Sequence, residues 1–221
     1  MGDAAGSQID VIIVDDHRMF AESLARLLSD EDRISVVGIA QNGDEAMDLV
    51  RRLQPRVVLI DFQMPGQDGV ALTEIIKESH PEVTVVMLTA STDDRVLLSA
   101  MEAGCSGFLT KHRAAEEVAE AVRVAASGDA VISPALLARL LRRIKPAPPT
   151  VGSNLTDRER EVLDGLAKGW TNKMIAAELF LSVNTIRNYV QSVLSKLEAH
   201  SKLQAVSIAV RAGILQYPVD G

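Results

Sequence analysis

The stretch "RVVLIDFQMPGQDG", Arg56–Gly69, decides the fold. Four apolar residues, Val57 to Ile60, run straight into a carboxylate, Asp61, and Met64-Pro65-Gly66 turns the chain just beyond it. A short Val/Leu/Ile run without polar alternation is the pattern of a central parallel strand buried on both faces. Such a strand ending in a lone acid raises the question of what the acid meets.

Working outward, the first 130 residues alternate. The runs "IDVIIV", "ISVVGIA", "RVVLI", "VTVVML" and "GFL" are short and rich in Val and Ile. Between and after them lie stretches of helical period: "RMFAESLARLLSD", "DEAMDLVRRLQ", "VALTEIIKESH", "DRVLLSAMEAG" and "AAEEVAEAVRVAASG". This alternation predicts a five-stranded, doubly wound parallel sheet with right-handed crossovers, an α/β domain over residues 9–130. Asn42 or Asp44 can cap the second helix, and Gly104 and Gly128 follow the fourth and fifth. Residues 131–154 hold one more helix, "ISPALLARLLRRI", and a linker in which Pro146, Pro148 and Pro149 precede Gly152 and Ser153. From Leu155 only helical segments follow, so residues 155–217 are expected to form a small all-α domain.

Composition bounds the chemistry. The 221 residues are 47% hydrophobic, enough to bury a sizeable core in one large domain or two small ones. The single cysteine, Cys105, rules out an intrachain disulfide and points to a reducing compartment. No apolar run approaches about 18 residues, so no membrane span is expected. "MGDAAGSQ" lacks signal-peptide character, and a cytoplasmic location follows as the expectation. The net charge of −7 hides an asymmetry. Residues 147–221 carry 8 Lys/Arg against 7 Asp/Glu, and residues 168–202 alone carry 5 against 2. A nucleic-acid partner therefore belongs to the C-terminal part.

In an open parallel sheet, ligands bind beyond the carboxyl ends of the strands. There the first strand ends in Asp15-Asp16, the third in Asp61, the fourth in Thr89-Ala90 and the fifth runs to Lys111. Three clustered carboxylates repel unless a cation intervenes, and Mg²⁺ is the natural occupant. With a hydroxyl and an ammonium beside it, the set suits phosphoryl transfer, with Asp61 as nucleophile. Asp93 and Asp94 read instead as first-turn helix residues. An aspartyl phosphatase would place a second Asp two residues on, where Gln63 stands, and no glycine-rich phosphate loop occurs. A turnover enzyme is not expected.

Asp15-Asp16-His17, "LIDFQMPGQDG", "MLTA" and "GFLTK" together resemble the flavodoxin-like receiver domain of two-component response regulators. The resemblance implies that Asp61 accepts a phosphoryl group from a sensor histidine kinase. It implies Mg²⁺ on Asp16, Asp61 and the Gln63 carbonyl, with Asp15 acting largely through water, and Thr89 and Lys111 on the phosphoryl oxygens. Phe108 falls at the aromatic switch position, where the absence of a hydroxyl leaves packing alone to act. His112 stands where the family often has proline.

In the C-terminal part, Ile186, Val190, Val193, Leu194 and Leu197 form the inner face of one helix, and Met174, Ile175, Leu179 and Leu181 supply apolar spacing before it. Ser182 is a good N-cap. The outer face, Asn184, Arg187, Asn188, Gln191 and Ser195, is rich in amides that can pair with base edges. The segment "LTDREREVLDGLAKGWTNKMIAAELFLSVNTIRNYVQSVLSKLEAHSKLQAV" is similar to the LuxR-type helix-turn-helix. That similarity implies Arg187, Asn188 and Gln191 in the groove and Lys173, Thr185 and Lys196 at phosphates. Tyr189 and Trp170 are read as packing. The apolar face of the last helix serves either as a dimer contact or as the domain's own core. The whole chain is thus expected to be a NarL/LuxR-type transcription factor, a homodimer on double-stranded promoter DNA, with RNA polymerase as a further candidate partner. The alternative is a regulator that binds DNA independently of phosphorylation and uses the sheet domain for dimerisation or ligand sensing.

Overall fold

The computed structural model describes residues 8–64, 68–89, 93–111, 115–145 and 154–216. The expected turn at Pro65-Gly66, Ala90, His112 and the linker residues 146–149, Gly152 and Ser153 lie outside them. By contacts the chain divides into two units: Met1–Thr92 with Gly107–Val131, and Asp93–Ser106 with Ile132–Gly221.

The first unit is built on strands β1 (Ile9–Val14), β2 (Ile34–Ala40), β3 (Val57–Asp61), β4 (Thr84–Thr89) and β5 (Gly107–Thr110). All neighbours pair in parallel, in the order β2-β1-β3-β4-β5. The order reverses between β1 and β3, so a crevice opens where their carboxyl ends diverge. Those are the ends that carry Asp15, Asp16 and Asp61.

Every residue of β3 is buried, as its unbroken apolar run requires. Val11, Ile13, Leu59, Val86, Leu88 and Leu109 form one core with Leu24 and Leu28 of helix α1 (Arg18–Ser29) and Val118 and Val122 of helix α5 (Ala115–Ala126). By the alternation of strand side chains, Ile12, Val58, Ile60, Val85 and Met87 face the other way. There Ala46 and Val50 of helix α2 (Gly43–Leu53) and Leu72 and Ile76 of helix α3 (Gly69–Ser79) are buried. Asn42 caps α2, accepting from the Glu45 N–H at 3.0 Å, while Asp44 sits in its first turn.

The second unit holds helices α4 (Asp94–Glu102), α6 (Pro134–Leu141), α7 (Asp157–Ala167), α8 (Asn172–Glu178), α9 (Val183–Lys196) and α10 (Lys202–Arg211). Asp93 caps α4, and Asp94 pairs with Arg139 at 3.0 Å, so both serve local structure as the sequence indicated. Ser133 caps α6, with Pro134 at a position whose N–H would be orphaned anyway. Ser or Thr caps α7, α8, α9 and α10. The turn from α8 to α9 places Phe180 at φ 56°.

The wide apolar face of α10 is covered within the chain: Leu203, Ala205, Val206, Ala209 and Val210 are buried. The same helix meets α4, where Gln204 Nε2 donates to the Glu102 carbonyl at 2.7 Å and Arg211 pairs with Glu102. Ser201 Oγ donates to the Cys105 carbonyl at 2.9 Å. Met174, which the apolar spacing assigned inward, is instead 49% exposed, because the short α8 turns Ile175 and Ala176 into the core.

One close approach was not legible in the strand pattern. Gly107 bridges to Val131, and Phe108 N–H donates to the Val131 carbonyl at 2.9 Å. A Cβ at position 107 would lie 2.3 Å from Val131 Cβ and 2.5 Å from its carbonyl oxygen. Gly107→Ala is expected to lower the unfolding free energy by about 1–3 kcal/mol, as overpacking against backbone does, measured by denaturant titration.

Candidate functional site

The acidic site forms where β1, β3 and β5 end. Asp61 is the last residue of β3 and 3% exposed; Asp15, directly after β1, is fully buried. Lys111 follows β5, and its N–H bonds the Thr89 carbonyl at 3.2 Å, which fixes the two strand ends together. Its ammonium reaches across the rim to Asp15 Oδ2 at 2.7 Å and Asp61 Oδ2 at 2.8 Å. The Phe20 ring, one turn into α1, lies 4.9 Å from the same ammonium, a cation–π contact. Thr89 ends β4 and is buried.

Asp15 has both carboxylate oxygens engaged, since Oδ1 also accepts the His17 N–H at 2.9 Å. Asp16 differs. Its Oδ1 is buried and has no hydrogen-bond partner, although His17 Nδ1 lies 3.0 Å away. One donor atom each from Asp15, Asp16, His17 and Asp61 falls within 4.8 Å of all the others. A buried, unpartnered carboxylate oxygen converging with the other carboxylates is what a divalent cation requires, so the three acids fit Mg²⁺.

The electrostatics follow from the geometry. Burial pushes the Asp61 carboxyl above the ordinary aspartate range, and the Asp15 charge adds to this; the Lys111 ammonium and the Gln63 N–H pull the other way without cancelling it. Burial alone would lower the Lys111 pKa, but hydrogen bonds and charge from Asp15 and Asp61 outweigh it and raise it. Gln63 thus acts on Asp61 through its N–H. Gly69 closes the β3–α3 connection: its N–H donates to the Phe62 carbonyl at 3.2 Å, and a Cβ there would sit 2.4 Å from the Asp61 carbonyl oxygen. Only glycine lets the chain return this close to the acid. Phe108 lies half-buried on β5, paired in register with Met87.

The second site is the outer face of α9. Asn184, Arg187, Asn188, Gln191 and Ser195 are all exposed there, as the helical spacing indicated, and Lys173 is exposed on α8. Thr185 is bonded to the cap: its N–H donates to Ser182 Oγ at 3.0 Å, and the two hydroxyls lie 2.8 Å apart. Tyr189 is half-buried, and Trp170 packs in the α7–α8 turn with the Lys168 ammonium 4.6 Å from its ring.

Lys196 is committed inside the domain. Its ammonium pairs with Glu159 Oε2 at 2.7 Å and donates to the Asn154 carbonyl at 3.0 Å. Glu159 also accepts from Ser192 Oγ at 2.6 Å and from the Thr156 N–H at 2.7 Å, completing a capping box that ties α7 to α9. Burial would raise the Glu159 carboxyl, but Lys196, Ser192 and Thr156 together bring it down to about 2. The signal for this role was in the sequence as Thr156-x-x-Glu159. His17 and Phe20 carried no comparable signal beyond their nearness to Asp16.

A parallel sheet with an acid, hydroxyl and ammonium rim, joined to a helix-turn-helix, defines a receiver coupled to a DNA-binding module. Residues 11–123 match the response regulator receiver domain family, and residues 153–209 match the bacterial regulatory proteins of the luxR family. Transcriptional regulatory protein LnrK of Bacillus subtilis (strain 168) is 37% identical over 216 residues, covering 93% of this chain and 98% of that protein. Response regulator protein VraR of Staphylococcus aureus (strain Mu3) is 35% identical over 208 residues, covering 94% and 99%. The structure of two RcsB dimers bound to two parallel DNAs is similar at 25% identity and a TM-score of 0.55, covering 93% of this chain and 99% of that one. The chain belongs to the two-component response regulators with a LuxR-type DNA-binding domain. It is a transcription regulator by family. Among the described residues no helix is long and apolar enough to cross a membrane.

The Glu159 pKa gives a pH signature. The folded value, about 2, lies below the ordinary 4.5, so the contribution of this carboxylate is present above about pH 4.5 and lost as pH falls toward 2. Urea titrations of the helical unit across that window should show Glu159→Gln flattening the loss. Equal slopes in parent and variant would contradict the pairing.

Proposed function

We propose that this protein is a cytoplasmic transcription factor controlled by phosphorylation of Asp61, with the receiver over residues 9–130, the helix and linker over 131–154 and the DNA-binding domain over 155–217. The observation that carries the reading is the ammonium of Lys111 holding Asp15 and Asp61 together beside the bare Asp16 oxygen. The phosphoryl donor is the phosphohistidine of a sensor kinase. An Asp61 oxygen attacks phosphorus, the P–N bond breaks, and the imidazole leaves with a proton from solvent. Asp16, Asp61 and the Gln63 carbonyl would hold Mg²⁺, which would supply neutralisation of charge on the transferring group. Asp15 keeps Lys111 in place and acts on the ion through water. Thr89 and Lys111 then take the phosphoryl oxygens. The only turnover is slow hydrolysis of the phosphoaspartate.

The switch is a population shift. The phosphoryl group draws Thr89 inward and Phe108 follows by packing. Beyond Thr89 the chain leads to α4, whose Glu102 is tied to Arg211 and Gln204 of α10. Displacing α4 loosens that contact and frees α10 for a homodimer on promoter DNA. In the groove, Arg187, Asn188 and Gln191 read base edges, with Lys173 and Thr185 at phosphates. Lys196 contributes by holding α9 on α7 and only secondarily by its charge. RNA polymerase is a further partner of the DNA-bound form.

A small-molecule phosphodonor with Mg²⁺ should add one phosphoryl mass, and Asp61→Asn should abolish it; unchanged uptake in the variant sinks the assignment. On DNA, Arg187→Ala should relax base preference by about 1–3 kcal/mol at one position, measured by binding to a substituted site series. A uniform loss across all sequences would make it a phosphate contact instead. Lys196→Ala should destabilise the helical unit by on the order of 3 kcal/mol, because it strands a buried carboxylate. The salt slope of binding should change by much less than the roughly 0.9 expected of a direct phosphate contact.

A further inference from the structure

We infer that His17 is a fourth donor to the receiver's metal site and strengthens its hold on borderline first-row ions, such as Co²⁺, relative to Mg²⁺. The inference rests on the acidic pocket being the metal site of the phosphoacceptor, and it adds a ligand that the all-oxygen set does not contain. His17 is the N-cap residue of α1, yet its side chain makes no capping hydrogen bond. Capping is the ordinary use of a polar side chain at that position, and Ser, Thr, Asp or Asn would serve it better. The imidazole turns instead toward the carboxylates. Its Nδ1 lies 3.0 Å from Asp16 Oδ1 and 3.4 Å from Asp15 Oδ1.

The 3.0 Å approach to Asp16 is not a hydrogen bond, since Asp16 Oδ1 is buried and has no hydrogen-bond partner. Two atoms bound at right angles to one ion at about 2.1 Å stand about 3.0 Å apart, and two bound opposite each other about 4.2 Å apart. The donor atoms of Asp16, His17 and Asp61, all within 4.8 Å of one another, reach that frame with small side-chain adjustments, while Asp15 beside them stays engaged with Lys111. The side chain is 70% exposed, so the ring can turn to improve its aim and Nε2 can keep its proton toward water. Imidazole nitrogen suits borderline first-row ions and is a poor ligand for Mg²⁺, which prefers oxygen and retains its waters. An O₃N donor set therefore widens the gap between Co²⁺ and Mg²⁺ relative to an O₃ set, while both support neutralisation of the transferring phosphoryl group.

The test is a titration of the full-length, untagged protein with Co²⁺ and separately with Mg²⁺, followed by calorimetry and by the visible Co²⁺ absorption. Parent, His17→Ala and His17→Gln are compared, with circular dichroism to confirm folding. His17→Gln keeps a polar side chain at the cap and guards against a local effect on α1. The expected result is a Co²⁺ affinity about tenfold or more weaker in both variants, with an altered Co²⁺ spectrum and Mg²⁺ affinity within about twofold of the parent. Equal Co²⁺ affinity and spectrum in parent and variants would overturn the inference, and His17 would then be an ion-pair partner of Asp16 only. A parallel loss of both ions would also overturn it, because the residue would then merely shape the loop. Phosphodonor labelling of the same variants in Mg²⁺ reads the underlying function separately. Unlabelled parent protein with His17-dependent Co²⁺ binding would refute the phosphoacceptor and leave the ligand assignment standing.

Discussion

The ammonium of Lys111, 2.7 Å from Asp15 and 2.8 Å from Asp61, is the contact on which the receiver site depends. Two buried carboxylates on one rim would otherwise repel. Lys111 is 96 residues from Asp15 in sequence, and only the parallel topology brings the ends of β1, β3 and β5 to one rim. The strand order reverses between β1 and β3, so the rim is also open. Fold and chemistry are therefore one constraint. The apolar runs that bury the sheet force its polar ends into a cluster, and the cluster is tolerable because a cation from the fifth strand meets it. Compensation is incomplete, since Asp61 still sits above the ordinary aspartate range. A divalent cation beside the acids would relieve what remains.

The second unit solves a similar problem for a different end. Glu159 is buried at the start of α7 and would be costly unpaired. Lys196 and Ser192, one turn apart on α9, satisfy it. This fixes the rotation of α9, so that Arg187, Asn188 and Gln191 point outward while Ile186, Val190 and Val193 point in. A cation that the local charge balance offered to DNA is thereby used to orient the helix that carries the exposed amides.

Much of this was legible in residues alone, for identifiable reasons. Unbroken Val/Ile runs separated by helical spacing have few solutions besides a doubly wound parallel sheet, and the acids at the strand ends then fall on one rim. The helical period placed the exposed amides of α9 correctly. Pairings across long sequence separations were less accessible. That Lys196 meets Glu159 rather than solvent depends on how α7 crosses α9, which no local pattern encodes. The close approach of Gly107 to Val131 has the same origin, and so does the contact of Phe20 with Lys111. Met174 went astray because α8 is too short for spacing to define its inner face. Side-chain aim was also hidden: Asp15 and Asp16 are adjacent in sequence, but one is saturated with partners and the other has a bare oxygen.

Transfer of the phosphoryl group to the acid at the end of β3 can be read out chemically. Reducing the phosphorylated protein with labelled borohydride converts a phosphoaspartate to homoserine, and peptide mass spectrometry then reads the position. Label is expected at residue 61 alone. Label at residue 15 or 16, or a borohydride-resistant phosphate on a histidine or serine, would contradict it.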